Sequence, residues 1–404
     1  MFGLKMNSND YYNENMPIKI QILPAGEGDC ALILSEKHNI LIDFGSEKGR
    51  YTYENLKKQV NKSIQDNNID LAIITHSDDD HIGGFLTLLS ENAITSKIQN
   101  YWFNSISGVS KFLDKTDLGF PQLFVPISPN DKGATLSGFR QDNELQQVLK
   151  NTGKWNASEI ITNNKIFEPG SNFKLTVLSP NKDKLINLYV HWVEEQKLYD
   201  SKMKGKKKSA KKPCVFDYYK KINEFPSYPI TFINDYSAVN GSSIAFLLEA
   251  ETTKGLFLGD SHIDVVYNSL ISKPHCYNKQ NKLKLDFVKL SHHGSYNNLN
   301  DDLLDIIDCD NFIISANGNR KNCHPNKETL VRILKHPNFN NKAINFYLNN
   351  ISDNTIEKER RLQNIFLVDI DIQPINHTDF IQYKYENWNL FFPSQKEAGI
   401  ILYF

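Results

Sequence analysis

The residues of this chain with the clearest chemical potential lie in the segment Thr75–Gly84, THSDDDHIGG. Its two histidines and three aspartates fall within positions 76–81, and imidazole nitrogens and carboxylate oxygens are the ligands of Zn²⁺, Mn²⁺ and Fe. The apolar run before the segment predicts a strand, and the apolar spacing after it predicts a helix. The junction therefore predicts a site for one or two metal ions; the alternative is an aspartate-rich turn that caps the helix.

Polar side chains also follow three other apolar runs of the sequence. Asp43 follows ILI, Asp260 follows GLFLG, and His292 and His293 follow FVKLS. Because the strand ends of one sheet layer point to a common edge, these side chains can be neighbours of the segment around His76. A single aspartate at a strand end is more often a turn former, but several such ends with metal-binding side chains favour a metal site.

In its motifs and in their order along the chain, the sequence resembles the metallo-β-lactamase fold hydrolases, and within them the hydrolase domain of the ComEC/Rec2 competence proteins. The motifs that carry the resemblance are GDC (28–30), LIDFG (41–45), THSDDDHIGG (75–84), NGSS (240–243), LGD (258–260), SHHGS (291–295) and HP (324–325). The resemblance spans about Ile18 to Leu334, with an irregular middle segment as an insertion.

This resemblance implies an α/β fold, a four-layer αββα sandwich with a metal site at one edge of its two sheets. The implied metal ligands are His76 and Asp78 for a first ion, Asp80 and His81 for a second, Asp260 as the bridge between them and His292 as the distal ligand. The residues implied to support these ligands are Asp43, which orients the loop, Asn240, His293 and Ser295. Of the two adjacent histidines, His293 is the less favoured as a ligand.

Two positions depart from the usual motifs of the superfamily. Asp78 stands where HxHxDH has its second histidine, as in the ComEC-like branch, and Asn240 stands near the place of a further histidine. A site with fewer imidazoles and more carboxylates favours Mn²⁺ or Mg²⁺ relative to Zn²⁺. We expect two divalent ions, Zn²⁺ or Mn²⁺ with Mg²⁺ as a third candidate, and a site for a single ion stays open.

The reaction class implied by such a centre is hydrolysis. Two ions would hold a hydroxide, lower the pKa of its parent water from about 15.7 toward ~7, and neutralise charge on an attacked phosphate or carbonyl. Asp80 and Asp260 are the predicted catalytic carboxylates that fix this nucleophile. His324 and Ser295 are candidate donors to the negative charge of the transition state, and His324 is the predicted catalytic residue of the two.

We expect a phosphodiester substrate, either nucleic acid or a nucleotide, because ComEC-like hydrolase domains are linked to DNA degradation and oxygen-rich sites suit phosphoryl transfer. A nuclease or phosphodiesterase in nucleic-acid defence, with a partner protein, is one setting for this activity. Two alternatives stay open: hydrolysis of a small carbonyl ester, lactone or thioester, and a metal-binding scaffold that serves a partner protein.

The elements that must position these residues alternate between strand and helix in both halves of the chain. We predict three short strands in Ile18–Gly45, a helix in Thr52–Asn67, strands at Leu71–Thr75 and Phe173–Leu178, a hairpin in 242–260, and two strand–helix units in 285–334. The predicted organisation is a first half of the hydrolase domain at 1–100, an insertion at 101–228, the second half at 229–336, and a C-terminal extension at 337–404 that ends in a docked strand.

Composition sets the class of protein and limits its partners. The 404 residues are 40% hydrophobic and 23% charged, values of a soluble globular protein. A formal charge of −1 gives no global basic field, so a nucleic-acid partner would need a local basic patch on the protein. The lysine-rich run Lys202–Lys212 is either a solvated loop or a mobile arm near a polyanion. Five scattered cysteines and the lack of a signal or long apolar run predict a cytoplasmic protein without membrane contact.

Overall fold

The computed structural model of the chain describes residues 17–46, 50–91, 94–114, 137–200, 216–318, 323–350, 362–366, 368–369, 373–395 and 397–404. The lysine-rich run Lys202–Lys212 lies outside the described residues, so both interpretations of it stay open.

The described residues form short strands and mostly short helices. The strands are β1 (Lys19–Ile22), β2 (Ala31–Leu34), β3 (Asn39–Ile42), β4 (Leu71–Ile73), β5 (Tyr101–Trp102), β6 (Ile166–Gly170), β7 (Phe173–Ser179), β8 (Ala245–Ala250), β9 (Thr253–Phe257), β10 (Leu283–Lys284), β11 (Phe287–Lys289), β12 (Ile307–Asp308), β13 (Asn311–Ile314), β14 (Ile344–Leu348), β15 (Ile375–Asn376), β16 (Phe380–Lys384), β17 (Trp388–Pro393) and β18 (Ile400–Tyr403). The helices are α1 (Arg50–Ile64), α2 (Asp79–Glu91), α3 (Ile106–Asp114), α4 (Ser137–Thr152), α5 (Lys182–Asp200), α6 (Ala238–Gly241), α7 (Ile263–Ile271), α8 (Asp301–Ile306) and α9 (Lys327–Lys335).

Most of these strands pair into two large sheets. The first sheet has the order β18-β1-β2-β3-β4-β5, with an antiparallel meander from β1 to β3 and parallel pairs from β3 to β5. The second has the order β15-β16-β17-β14-β13-β11-β9-β8-β7-β6, and its central strands β9, β11, β13 and β14 are parallel. The parallel strands of each sheet place the polar residues that follow their carboxyl ends at a common edge.

The two sheets pack face to face because successive apolar side chains of a strand point to opposite faces of its sheet, so that one set lies between the sheets and the other lies under the helices. In β3, Ile40 and Ile42 face the second sheet, whereas Leu41 faces the helices. In β8, Phe246 likewise belongs to the core between the sheets and Leu247 to the core under the outer helices. Helices α1, α2 and α4 cover the first sheet, and α7, α8 and α9 cover the second. These layers form the four-layer αββα sandwich expected from the sequence.

Strands from the middle and C-terminal segments take part in both sheets. Strand β5 pairs with β4, and β6 and β7 extend the second sheet beside β8. Strands β14 and β17 extend it on the other side, and β18 pairs with β1 along the edge of the first sheet. The expected docking of the C-terminal apolar segment is therefore observed, while the division into two halves, an insertion and an extension stays a prediction.

Two further features bear on the setting of the protein. Among the described residues, no helix combines the length and the apolar composition needed to cross a bilayer. Cys30, Cys276 and Cys309 are free, whereas Cys323 is disulfide-bonded. The compartment predicted from cysteine usage therefore stays a prediction.

Candidate metal centre

The loop that carries the HSDDDH segment (His76–His81) is fixed at both ends. Helix α2 begins at Asp79, inside the segment, and the Asp78 carbonyl accepts hydrogen bonds from the His81 and Ile82 N–H groups (2.9 and 3.0 Å). The Asp29 N–H also donates to the carbonyl of Asp80 (3.2 Å). The histidines thus lie on a segment with little freedom to move.

Asp43, after β3, is buried behind this loop and accepts three hydrogen bonds. Its donors are the Thr75 N–H (2.8 Å), the Thr75 hydroxyl (2.7 Å) and His81 Nδ1 (2.7 Å). Because the Thr75 hydroxyl donates to Asp43, its oxygen accepts from His76 Nδ1, which lies 3.0 Å away. Both imidazoles therefore direct their Nε2 atoms away from Asp43 and Thr75. Metal-binding histidines are commonly oriented in this way, by a hydrogen bond at the ring nitrogen that does not bind the metal.

The second sheet supplies Asp260 after β9 and two histidines after β11. The Asp260 N–H donates to Ser243 Oγ (3.0 Å) and the His292 N–H donates to the Gly259 carbonyl (2.8 Å). His293 Nδ1 lies 2.9 Å from the Ser315 carbonyl, which accepts its proton. The φ angles of His292 and His293 are 46° and 54°, a left-handed backbone that persists where the surroundings impose it.

The imidazoles from both sheets converge on one carboxylate oxygen. The Nε2 atoms lie near Asp260 Oδ2 at 3.8 Å (His76), 3.5 Å (His81), 3.8 Å (His292) and 3.8 Å (His293). These distances are too long for hydrogen bonds. Two ligands of one tetrahedral ion, each at about 2.1 Å, lie about 3.4 Å apart, so the spacing is that of ligands around shared ions.

The burial of these atoms supports the same interpretation. Among the described residues, Nε2 of His76, His81 and His293 and Oδ1 of Asp260 are buried without a hydrogen-bond partner. An unpaired buried polar atom costs about 1–3 kcal/mol, and the three imidazole nitrogens lie within 3.8 Å of the same Asp260 carboxylate oxygen. A metal ion would satisfy them together, so the residues present fit the divalent ions that the sequence predicts.

Two overlapping groups of ligand atoms can hold an ion. One consists of His76, His81 and Asp260, and the other of Asp80, His81 and His293. His293 Nε2 lies 3.4 Å from Asp80 Oδ2, and His76 Nε2 lies 3.7 Å from Asp78 Oδ2. The Asp78 side chain is 45% exposed and lies at the mouth of the site.

A third close group, formed by Asp29, Asp43 and His81, is better explained as support. The oxygens of Asp43 are engaged in the hydrogen bonds described above, and the Asp29 carboxylate forms a buried ion pair with Lys289 on β11. Asp29 Oδ1 also lies 3.4 Å from His293 Nδ1. Asp29 therefore links the first sheet to the histidines of the second.

The electrostatics of the site follow from this packing of carboxylates and imidazoles. Burial opposes the charged form of His293, yet Asp260, Asp29 and Asp80 together raise its pKa to about 10. Burial likewise opposes ionisation of Asp260, but the neighbouring histidines hold its pKa well below the usual value. For His324, burial and then the charges of His292 and His293 lower the pKa well below its usual value. Asp260 is thus ionised, and His324 is neutral at pH 7.

The remaining predicted residues surround this cluster. Asn240 Nδ2 lies 3.3 Å from His292 Nδ1, and the His324 ring centroid lies 4.9 Å from that of His292. Ser295 acts on the backbone, where its hydroxyl accepts from the Asn297 N–H (3.3 Å). His293, predicted as a supporting residue, lies as close to Asp260 Oδ2 as His292 does. The cluster thus contains four imidazoles, one more than the predicted ligand set.

Several residues of the site have no signal in the sequence. Asp142 on α4 is fully buried and accepts from the Ser77 hydroxyl (2.8 Å) and the Ile106 N–H (3.1 Å). Burial raises the pKa of Asp142 to about 7, although these hydrogen bonds oppose the shift. Asp79 turns to the same helix and accepts from Gln141 Nε2 (2.6 Å). Helix α4 belongs to the middle segment, where the sequence has no motif, so only the fold identifies these contacts.

Comparisons with known proteins give a match to one family model and similarities to several solved structures. Residues 23–140 match the model of the metallo-beta-lactamase superfamily, which implies a metal-dependent hydrolase. The metallo-beta-lactamase fold protein YhfI from Bacillus subtilis is 10% identical with a TM-score of 0.37, over 96% of this chain and 99% of that chain. A mutant of the CmlA beta-hydroxylase is 11% identical with a TM-score of 0.34, over 80% of this chain and 50% of that chain.

The metallo-beta-lactamase GOB-18 from Elizabethkingia meningoseptica is also similar, with 13% identity and a TM-score of 0.25 over 64% of this chain and 67% of that chain. A comparison with curated protein sequences gives no significant match. The fold is thus mixed α/β of the metallo-β-lactamase type, and the narrower ComEC/Rec2 resemblance stays a prediction.

Proposed function

We propose that this protein is a metal-dependent phosphodiesterase that acts on nucleic acid or nucleotides. The observation that carries the proposal is the convergence of four imidazole Nε2 atoms on Asp260 Oδ2. Divalent ions bound there would activate water and neutralise charge on an attacked phosphate. The side chains of the protein would hold the ions, orient the attacking water and keep protons at defined atoms.

Asp260 would hold an ion together with His76 and His81, and its Oδ2 atom also lies 3.8 Å from His293 Nε2 of the second group. We assign His76 and Asp78 to one side, and Asp80, His81 and His293 to the other; the distance of His292 from Asp260 Oδ2 also admits it as a ligand. Four imidazoles favour Zn²⁺, whereas three carboxylates favour Mn²⁺. Both ions are therefore candidates, with Mg²⁺ third.

The residues behind the ligands hold protons at defined atoms. Asp43 keeps the proton of His81 on Nδ1, and the Ser315 carbonyl does the same for His293. The neutral His324 ring, beside His292, is placed to donate to the charge that develops on an attacked phosphate. Asp80 and Asp260, both ionised, would orient the attacking water.

A phosphodiester substrate is favoured over a carbonyl ester because divalent ions held here would offset the additional negative charge of a phosphate in its transition state. The buried, unpaired ligand atoms fit a catalytic metal centre and a metal-binding scaffold equally well, so hydrolysis is the measurement that separates these two functions. The defence setting and the partner protein stay part of this proposal.

The test is hydrolysis of bis-p-nitrophenyl phosphate, and of labelled single- and double-stranded DNA and RNA, with Mn²⁺, Zn²⁺ or Mg²⁺. We expect His76→Ala and Asp260→Ala to lower turnover at least ~100-fold because each removes a ligand. His377→Ala and Asp66→Ala, which alter exposed residues, serve as matched controls and should keep full activity.

Near-normal hydrolysis by either ligand variant would refute the site. Cleavage of lactones or thioesters alone would favour the carbonyl substrate. Metal binding without hydrolysis of any ester would favour the scaffold.

A further inference from the structure

The segment 230–237, here called the rim loop, passes directly beside the metal centre. The carboxylate of Asp235 accepts from Asn240 Nδ2 (2.6 Å), and its Oδ2 atom lies 3.4 Å from His292 Nδ1. Asn298 Oδ1 lies 3.1 Å from the same histidine nitrogen. The rim loop is thus in contact with the residues that orient His292.

The backbone of the rim loop is held at both ends. Arg332, only 1% exposed, donates to the carbonyls of Ile230 (2.9 Å) and Thr231 (3.0 Å). Asn297 Nδ2 donates to the Ile233 carbonyl (2.6 Å), and the Asn297 carbonyl accepts from the Asp235 N–H (3.2 Å). Such anchoring lowers the entropy that a binding surface loses when it orders around a ligand.

Despite this anchoring, the rim loop presents two large side chains to solvent. Tyr236 is 80% exposed and Ile233 is 59% exposed. Single exposed apolar residues are common on protein surfaces, but these two share one fixed segment next to the candidate ligands. Tyr236 adjoins Asp235 in the chain, so an aromatic ring is available within reach of a substrate in the site.

From these contacts we infer that the rim loop is a subsite for one unpaired nucleobase, with Tyr236 as the stacking ring and Ile233 as an apolar flank. This inference rests on the proposed function and narrows its substrate to single-stranded nucleic acid, because the bases of a duplex are stacked within the helix. A base stacked on an aromatic side chain contributes about 1–3 kcal/mol regardless of its identity. The subsite therefore selects for the presence of a base and not for its sequence.

The test compares binding of two fluorescent single strands by anisotropy, with EDTA present so that no hydrolysis occurs. One is a short oligothymidylate, and the other is an abasic chain of the same length and charge. We expect the full-length protein to bind the oligothymidylate about 5- to 150-fold more tightly, the range that corresponds to one stacked base. Because the charges are equal, the ratio isolates the contribution of the base.

Tyr236→Ala should remove most of this preference, and Tyr236→Phe should keep it because the ring is retained. Tyr403→Ala is the matched control, since Tyr403 is an exposed tyrosine on the edge strand β18. Equal binding of the two strands by the unaltered protein, or an unchanged preference in Tyr236→Ala, would overturn the inference.

Turnover measurements separate this inference from the proposed function. If strands are hydrolysed with added metal but bases give no advantage, the subsite is wrong and the phosphodiesterase stands. If bases give an advantage that depends on Tyr236 but no phosphodiester is cleaved, the phosphodiesterase is wrong and the subsite stands.

Discussion

The orientation of each candidate ligand is set by the partner of its other ring nitrogen. Asp43 and Thr75 hold His81 and His76 through Nδ1, and the Ser315 carbonyl holds His293. Each imidazole therefore presents Nε2 to Asp260 before any ion arrives. Ligands that are already oriented lose little entropy on metal binding, which is why the partners behind them matter as much as the ligands.

Asp142 lies behind the HSDDDH segment and makes the free energy of unfolding depend on pH. Because burial raises its folded-state pKa to about 7, the folded protein holds a proton that the unfolded chain releases near pH ~4. This stabilisation is complete below the unfolded pKa and is lost as pH rises through ~7. At about 1.4 kcal/mol per pKa unit, the loss is on the order of 4 kcal/mol.

Asp142→Asn mimics the protonated form, so it should flatten this part of the pH dependence. Urea unfolding at several pH values from ~4 to ~8 measures the effect. Glu144→Gln, an exposed residue of the same helix, is the control and should leave the profile as in the unaltered protein. An Asp142→Asn profile parallel to the unaltered one would contradict the assignment.

At the scale of elements, the site depends on close approaches between loops that follow different strands. A Cβ at Gly28 would lie 1.8 Å from the carbonyl oxygen of Asp80, and a Cβ at Gly84 would lie 2.0 Å from that of Phe44. Both contacts involve backbone atoms, which cannot rotate away as a side chain can. Glycine at these two positions lets the loop after β1 and the start of α2 pack around the ligands.

Gly28→Ala should therefore displace the HSDDDH segment and the candidate ligands that it carries. We expect a loss of about 2–3 kcal/mol in the free energy of unfolding and a 10- to 100-fold loss of metal affinity, roughly that of altered supporting residues. Calorimetric titration with Zn²⁺ and urea unfolding measure the two effects. Gly170→Ala is the control, because its Cβ would meet only the His38 side chain at 3.2 Å.

If Gly28→Ala binds Zn²⁺ as tightly as the unaltered protein, the close approach does not fix the ligands. The same result with lower stability would mean that Gly28 serves folding alone.

Across the whole molecule, the residues of the candidate metal centre come from both sheets. His76, Asp80 and His81 follow β4 of the first sheet, and Asp260 and His293 follow β9 and β11 of the second. The Ile244 N–H donates to the Thr75 carbonyl (3.0 Å) at the same edge. An ion held by ligands from both sheets would therefore act as a cross-link of the folded state.

Metal removal should therefore lower the thermal stability of the whole protein. An ion present at about 1,000 times its Kd stabilises the folded state by about 4 kcal/mol, or about 5 °C in Tm for a chain of this size. Calorimetry of the metal-loaded protein before and after EDTA measures the shift. Asp260→Asn should show little response to EDTA, and an unchanged Tm in the unaltered protein would contradict a shared centre.

The sequence by itself determined the ligand types of the first sheet and their order. His76, Asp80 and His81 lie within one short loop, so their proximity follows from chain connectivity and from the strand and helix patterns around them. The alternation of strand and helix patterns likewise predicted an α/β fold, and the family resemblance implied its four layers. Local spacing and periodicity carry this information without any knowledge of distant contacts.

Only the tertiary structure decided which distant residues complete the centre. Asp29 and Lys289 are 260 positions apart in the chain and pair inside the core, and Asp142 reaches Ser77 from a segment without motifs. The left-handed backbone at His292 and His293 brings both imidazoles to Asp260. Such contacts depend on how two sheets and their helices pack. That packing cannot be read from residue types and local spacing along the chain.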